Sequence, residues 1–501
     1  MMQRVVKTIA GLFLLLFIAA QAGAANLEDK VVEHTFKNGL KLLMVERHSS
    51  PTVSAWIRFK VGSVHERSDE RGIAHLLEHM LFKGTRTLGT RDYAAEAPLL
   101  EKIEETAQRM LAEEAKGSGA DKATLASLRA ELARLEKHAE QYVIKDEFFD
   151  LYARNGGSGY NAFTSRDGTT YLISLPANKL ELWAAIESDR MKNPVLREFY
   201  TERSVVMEER RRSYDAEPSS KLWETFVAAA YQTHPYGQPT IGWSSDIRQL
   251  SRTKAESFLK RYYAPNNAIV AVVGDIRPAD TIALVERYFG DIPPGTPVPE
   301  VAAQEEQQQG ERRVEVLGDA EPELIIGFHK TALGAPDDEV FDLVASVLGQ
   351  GRTSRLYRSL VLEKQLATQV SVFDAPGNRY PNLFVLYASP RAPHTAAEVE
   401  QALLAELERL KKEPVSQQEL QQVLNQLEFE EARRMGTNGG LARNLTEYEA
   451  IAGSWRYLTT YRAKLTKITP ADIQRVARQY FTRENRIVGT LVTKKPGGAQ
   501  K

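Results

Sequence analysis

The chain of 501 residues carries 65 basic and 66 acidic side chains, a net charge of −1, and no cysteine. Disulfides and thiolate metal sites are therefore excluded, and any metal must be held by His, Asp or Glu. The balanced charge lacks the basic footprint that nucleic-acid binding needs, and the length suits roughly two to four domains.

Arg4 and Lys7 precede the apolar run Ile9–Ala20, and Ala22-Gly23-Ala24 offers a small-residue cleavage site. Residues 1–24 therefore read as an export signal, with a bacterial periplasm as the expected destination. That run is short for a bilayer, and no later stretch reaches ~20 uninterrupted apolar residues, so no stable membrane span is expected.

An Asn38-Gly39 turn lies between extended runs, followed by alternating strand patterns at Leu40–Glu46 and Val53–Val61, and a helical pattern starts near Arg71. From about 93 to 145 the composition turns to Ala, Glu, Leu, Arg and Lys. Leu99, Ile103, Met110 and Leu111 define one stripe, and Leu125, Leu128, Leu132 and Leu135 recur three and four apart beyond a break at 116–120. This predicts an inserted antiparallel helical hairpin, read as a solvated structural arm. Extended patterns resume at Asn161–Leu175, helices dominate through Tyr262, and Ala268–Gly274 reads as a buried strand. Residues 292–312, rich in Pro, Gln and Glu, read as an exposed linker.

The remainder repeats the first half in outline: strand Glu323–Lys330, helix Asp337–Leu348, two long helices and strand Arg486–Thr493. AHLLEHMLFKGT, from Ala74, aligns without a gap on FDLVASVLGQGR, from Phe341. His75 then pairs with Asp342, Glu78 with Ala345 and His79 with Ser346. The second lobe reads as a copy that has lost its polar triad.

In the first copy, His75, Glu78 and His79 interrupt an apolar helix at i, i+3 and i+4 and share one face. Two imidazoles four apart converge on one ion, and the adjacent carboxylate can take a proton from water that the ion acidifies. This is the H-x-x-E-H order. A hydrolytic zinc site needs a third protein ligand, and the run Tyr200–Glu209 supplies carboxylates, with Glu202 and Glu209 two turns apart on one helical face. Charge pattern alone does not separate Glu208 from Glu209.

HLLEHMLFKGT, Gly156-Gly157, Asn161-Ala162-Phe163-Thr164, Thr170-Tyr171, ERSVVMEE, His234-Pro235-Tyr236 and FLKRYYAPNNAIVAVVGD together resemble the pitrilysin or insulinase family of zinc peptidases. The resemblance implies one zinc ion per chain, held by His75, His79 and Glu209. It implies Glu78 as general base, Glu202 as the supporting carboxylate, and Asn161, Ala162 and Phe163 on a sheet edge to which an extended peptide adds as a strand. The implied fold is α+β: two homologous lobes, each a mixed, mostly antiparallel sheet covered by helices on one side. The expected organisation is a catalytic lobe over 25–291 and a C-terminal lobe over 313–497.

Two departures stand out. Glu209 follows His79 by 130 positions, more than the family's usual spacing by about the length of the hairpin. The family also places an Arg and a Tyr seven apart in a later lobe, where this chain has Val361 and Thr368. The expectation is a metal-bearing subunit partnered by a homologous, metal-free subunit that supplies Arg and Tyr, or a homodimer. The alternative is a peptide-binding or assembly scaffold that holds metal without turnover.

Overall fold

The computed structural model describes residues 27–494 and shows a two-lobed mixed α/β fold; the expected export signal over 1–24 lies outside the described residues. The first lobe is built on a six-stranded sheet: β1 (Val31–Thr35), β2 (Lys41–Glu46), β3 (Thr52–Phe59), β4 (Ser158–Thr164), β5 (Thr169–Pro176) and β6 (Ala268–Gly274), in the order β1-β2-β6-β3-β5-β4. The second has five strands: β7 (Arg312–Gly318), β8 (Glu323–Lys330), β9 (Ala367–Ala375), β10 (Asn382–Pro390) and β11 (Arg486–Thr493), in the order β7-β11-β8-β10-β9.

The repeat is visible strand by strand. β2 runs parallel to β6, and every later step across that sheet, through β3 and β5 to β4, is antiparallel. β7 runs parallel to β11, and the steps through β8 and β10 to β9 are likewise antiparallel. β1 is an addition at the first sheet's outer edge. β7 went unread in the sequence because its side chains alternate between half-buried and exposed up to Leu317, which gives no apolar run. It begins at Arg312, the last residue of the expected linker.

Helices on one side describes only each lobe's own contribution. Leu42, Met44, Val270 and Val272 face the first lobe's helices. The alternate residues Leu43, Val45, Ile269, Ala271 and Val273 pack against Leu441, Ala442 and Leu445, on helix Asn438–Ile451 of the second lobe. Reciprocally, helix Pro218–Ala230 of the first lobe sets Leu222, Phe226 and Val227 against Ile325, Val385 and Ile487 of the second sheet. Strands buried on both faces explain the unbroken apolar run of β6.

The inserted hairpin forms as expected, with helices Tyr93–Glu114 and Lys122–Glu140, but it is no solvated arm. Leu100, Ile103, Met110, Leu128, Leu132 and Leu135 join the first lobe's core. Its first helix also buries Glu96, which pairs with Arg197 at 2.9 Å, both fully enclosed.

Candidate metal centre and peptide edge

Helix Ile73–Met80 is amphipathic in an uncommon sense: Ile73, Ala74, Leu76, Leu77 and Met80 are buried, and His75, Glu78 and His79 occupy the half-exposed face. Its start is fixed by Gly72, whose φ of 89° and approach to the Ile241 carbonyl leave no room for a Cβ. The Glu66 carboxylate accepts from the N–H groups of Gly72 and Ala74, each at 2.9 Å, satisfying donors that a helix N-terminus leaves open.

Helix Phe199–Arg210 lies alongside and brings its carboxylates to the histidines. Glu209 Oε1 is 3.7 Å from His75 Nε2, and its Oε2 is 3.5 Å from His79 Nε2. These three residues form one group whose ligand atoms all lie within 4.8 Å of one another. Glu208 turns away to Arg211 and Arg212, at 2.7 Å each, so Glu209 is the carboxylate that meets the imidazoles. Glu202 sits one layer out: its Oε1 is 2.9 Å from His79 Nδ1 and its Oε2 is 2.7 Å from Lys83 Nζ. Lys83 also reaches Glu198, at 3.4 Å.

The donor set fits zinc. A proton on His79 Nδ1, directed at Glu202, leaves Nε2 as a lone pair pointing toward Glu209. Burial, aided by the neighbouring His79, holds the His75 pKa down at about 3, so His75 is the neutral imidazole a metal requires. Two imidazoles and one carboxylate leave a coordination position open. Burial works against the charge on Glu202, but bonds from His79 and Lys83 overcome it and bring the carboxyl down to about 2.

Glu78 lies on the same face. Its Oε2 accepts from Thr164 Oγ1 at 2.6 Å, a residue of β4. Burial raises the Glu78 pKa above its ordinary value, and the Thr164 hydroxyl works in the opposite direction. β4 is the last strand of its sheet and pairs only with β5 among the described residues. It carries Asn161, exposed, Ala162, buried, and Phe163, packed edge-on against Trp56 with ring centroids 6.3 Å apart. A free strand edge thus runs beside the Glu78 carboxylate. Lys83, Glu66 and Thr164 had no assigned role in the sequence reading, although Lys83 and Thr164 lie within the quoted motifs.

The second lobe's counterpart helix, Asp338–Gly349, has none of these features. Asp342, at the position of His75, accepts from Tyr461 at 2.7 Å, and Ser346, at that of His79, donates to Gln350 at 2.8 Å. Val361 is buried in the second core, and the Thr368 hydroxyl donates to the Ser389 carbonyl at 3.3 Å.

The family description "Insulinase (Peptidase family M16)" matches residues 41–103 and 137–243, passing over most of the hairpin, and "Peptidase M16 inactive domain" matches 249–427. The chain belongs to the insulinase/pitrilysin-like M16 family of zinc proteases. Zinc protease PqqE of Helicobacter pylori is 26% identical over 486 residues, covering 95% of this chain and 96% of that protein. A crystal structure of a protease from Helicobacter pylori superposes with a TM-score of 0.78 at 26% identity, covering 92% of this chain and 99% of the other. The periplasmic protease PqqL from Escherichia coli shares the fold at TM-score 0.68 and 18% identity; 93% of this chain matches 49% of that one. No helix among the described residues is long and apolar enough to cross a membrane.

Proposed function

We propose that the chain is a zinc-dependent endopeptidase that hydrolyses extended peptides or unfolded segments, holding one zinc ion through His75, His79 and Glu209. The observation that carries this reading is the convergence of those ligand atoms within 4.8 Å beside a carboxylate bonded to a free strand edge. Zinc bound there would acidify a water and polarise the scissile carbonyl.

The chain's own residues do the remainder. A peptide adds antiparallel to β4 along Asn161-Ala162-Phe163, held by backbone hydrogen bonds with little sequence selectivity. Glu78, with Oε2 fixed by Thr164, takes the proton of the attacking water and passes it to the leaving amine. Glu202 holds His79 in the tautomer that presents Nε2, and Lys83 keeps Glu202 charged.

Stabilisation of the developing oxyanion, often worth ~3 kcal/mol, has no donor at Val361 or Thr368. A second, homologous subunit facing this one would supply Arg and Tyr. The length of PqqL, of which this chain matches 49%, accords with such a four-lobed assembly in one polypeptide. A homodimer, in which both copies carry Val361 and Thr368, is the other possible assembly but would leave that donor missing. Export to the periplasm is part of the same reading and accords with the compartment of PqqL. A second reading, a metal-holding scaffold that binds peptides without turnover, is favoured by the buried Val361 and the engaged Thr368.

The deciding experiment is cleavage of a mixed fluorescence-quenched peptide set by the zinc-loaded chain, with Glu78→Gln as blank. Turnover that disappears in the blank supports the peptidase and removes the need for a partner. Turnover only with a homologous Arg/Tyr-bearing chain supports the paired form, and silence in both, with zinc bound, favours the scaffold.

A further inference from the structure

Where the linker crosses the second lobe it closes one side of a cavity of about 350 Å³, whose other walls come from the end of β8, from Pro381, and from helix Pro470–Tyr480 with the turn after it. The linker is fixed there at two points. The Glu305 carboxylate accepts from the backbone N–H groups of Gln232, Thr233 and His234, at 2.9, 2.9 and 3.1 Å, and Gln308 Nε2 donates to the Arg486 carbonyl at 2.9 Å. Three residues lining the cavity each hold a buried side-chain atom with no hydrogen-bond partner among the described residues: Gln308 Oε1, His329 Nε2 and Thr331 Oγ1. Gln308 as a whole is only 6% exposed. Buried polar atoms are nearly always paired, so three orphans around one cavity point to an occupant.

Their neighbours define what that occupant must offer. A carbonyl only accepts, so the bond to Arg486 assigns the Gln308 nitrogen and leaves Oε1 as an acceptor. Asn485 is oriented in the same way: its Nδ2 donates to the carbonyls of His329 and Tyr480, each at 2.9 Å, which uses both amide hydrogens and leaves Oδ1 to accept. His329 donates to the Ala230 carbonyl, and since Nε2 has no partner the donor is Nδ1 and Nε2 is a bare lone pair. Burial holds its pKa at about 4, so the ring is neutral at ordinary pH. The charge points the same way. Glu305, Glu306 and Glu484 line the cavity, and the one basic side chain among its lining residues, Lys330, is turned to Asp338, at 2.9 Å, and Asp374.

We propose that this cavity binds a small organic cation of guanidinium type, with Gln308 Oε1, His329 Nε2, Thr331 Oγ1 and Asn485 Oδ1 accepting its N–H groups and the three glutamates balancing its charge. A guanidinium suits the site because it carries several N–H donors in one plane and no acceptor. A bare metal ion does not: among the described residues the one group of His, Asp and Glu ligand atoms close enough to share an ion is His75, His79 and Glu209. Gln308 and Glu305 belong to the linker, whereas His329, Thr331 and Asn485 belong to the second lobe, so the occupant ties the linker down. None of the lining residues belongs to the metal centre, and binding here stands or falls independently of peptide hydrolysis.

The test titrates agmatine into the zinc-loaded full chain by calorimetry, beside N-carbamoylputrescine, which replaces the guanidinium by a neutral urea of the same shape. Agmatine is expected to saturate one site per chain and to bind at least about tenfold tighter than the urea. Gln308→Leu and Thr331→Val should each weaken agmatine by about threefold to tenfold, with melting temperatures showing that the variants fold; Thr331→Val, which disturbs no bond of the linker, carries the test if Gln308→Leu does not fold. Hydrogen exchange should slow at residues 304–309 and 482–486 on adding agmatine and stay unchanged at 73–83. Absence of saturable binding up to about 10 mM, equal affinity for the urea, or an affinity untouched by the folded variants overturns the proposal. So does protection confined to 73–83 and 199–210, which would place the cation among the carboxylates of the metal centre.

Discussion

His79 Nδ1 lies 2.9 Å from Glu202 Oε1, and that one contact couples the metal helix to a helix more than a hundred residues later in the chain. It decides which imidazole nitrogen carries the proton and therefore which one can bind metal. Glu202→Gln keeps the shape and loses the charge, leaving Lys83 with Glu198 alone. Zinc affinity is expected to fall about 10–100-fold, read by competition with a chromophoric chelator, while the circular dichroism spectrum stays unchanged. An unaltered affinity would mean that Glu202 merely neutralises Lys83.

Glu78 and Thr164 make a pH prediction. Glu78 accepts a proton only when ionised, and its pKa is already raised by burial; the Thr164 hydroxyl bonds the charged form and holds it lower than it would otherwise be. Thr164→Val removes that donor, so the pKa rises further and the acid limb of the kcat/KM profile moves to higher pH. The loss should be large near roughly pH 5.5 and small near roughly pH 8. A limb that stays in place would show that another group titrates there.

Metal removal tests the ligand set directly. Dialysis against a strong chelator should abolish cleavage, and zinc should restore it at one equivalent per chain, counted by atomic emission. His75→Ala and Glu209→Gln should each lower zinc content well below one per chain, since two remaining ligands do not make a closed site. Full occupancy in Glu209→Gln would shift the third ligand to another carboxylate.

Much of this site was legible because the chemistry is local. His75, Glu78 and His79 announce themselves within little more than a single helical turn, and strand β6 carries an unbroken apolar run that ends at Gly274. What was not legible depends on residues distant in sequence. Charge pattern left Glu208 and Glu209 equivalent and the family resemblance alone pointed to Glu209; in the fold Glu209 faces the two imidazoles while Glu208 pairs with Arg211 and Arg212. The hairpin's Leu stripes predicted two helices but not that Glu96, on the first of them, would meet Arg197 in the core. A charged residue on a helix reads as solvated unless its partner is known.

That buried pair is a stability prediction. Besides Glu96, Arg197 donates to the carbonyls of Lys83, Thr85 and Leu88, at 2.6, 2.5 and 3.2 Å, so it fastens the hairpin to the segment just after the metal helix. Glu96→Ala leaves a fully enclosed guanidinium without a counter-charge, at a cost of about 3–5 kcal/mol, measurable as a lowered urea midpoint. Protease cutting near residues 116–120 should accelerate as the hairpin loosens. A neutral effect would imply that the three carbonyls alone suffice for the arginine.

The exchange of helices between lobes makes the last prediction. Helix Pro218–Ala230 belongs to the first lobe by sequence but covers the second sheet, and helix Asn438–Ile451 does the converse. Lys41 on β2 meets Glu449 at 2.5 Å, and the other oxygen of Glu449 accepts from Trp455 N–H at 2.9 Å. Neither sheet can cover both of its faces from its own lobe. Residues 27–300 and 301–494 expressed separately should therefore each expose a sheet face of Val, Leu and Ile side chains and aggregate, whereas co-expression should give a soluble pair. In the intact chain, Phe226→Ala, at a side chain with no exposure, should cost about 3–5 kcal/mol. It should slacken hydrogen-exchange protection in β8 and β11, although the altered residue lies in the other lobe, and unfolding should remain a single transition by both tryptophan fluorescence and circular dichroism. Two separated transitions, or a well-folded isolated lobe, would show that the exchanged helices are accessory and that each sheet finds its cover elsewhere.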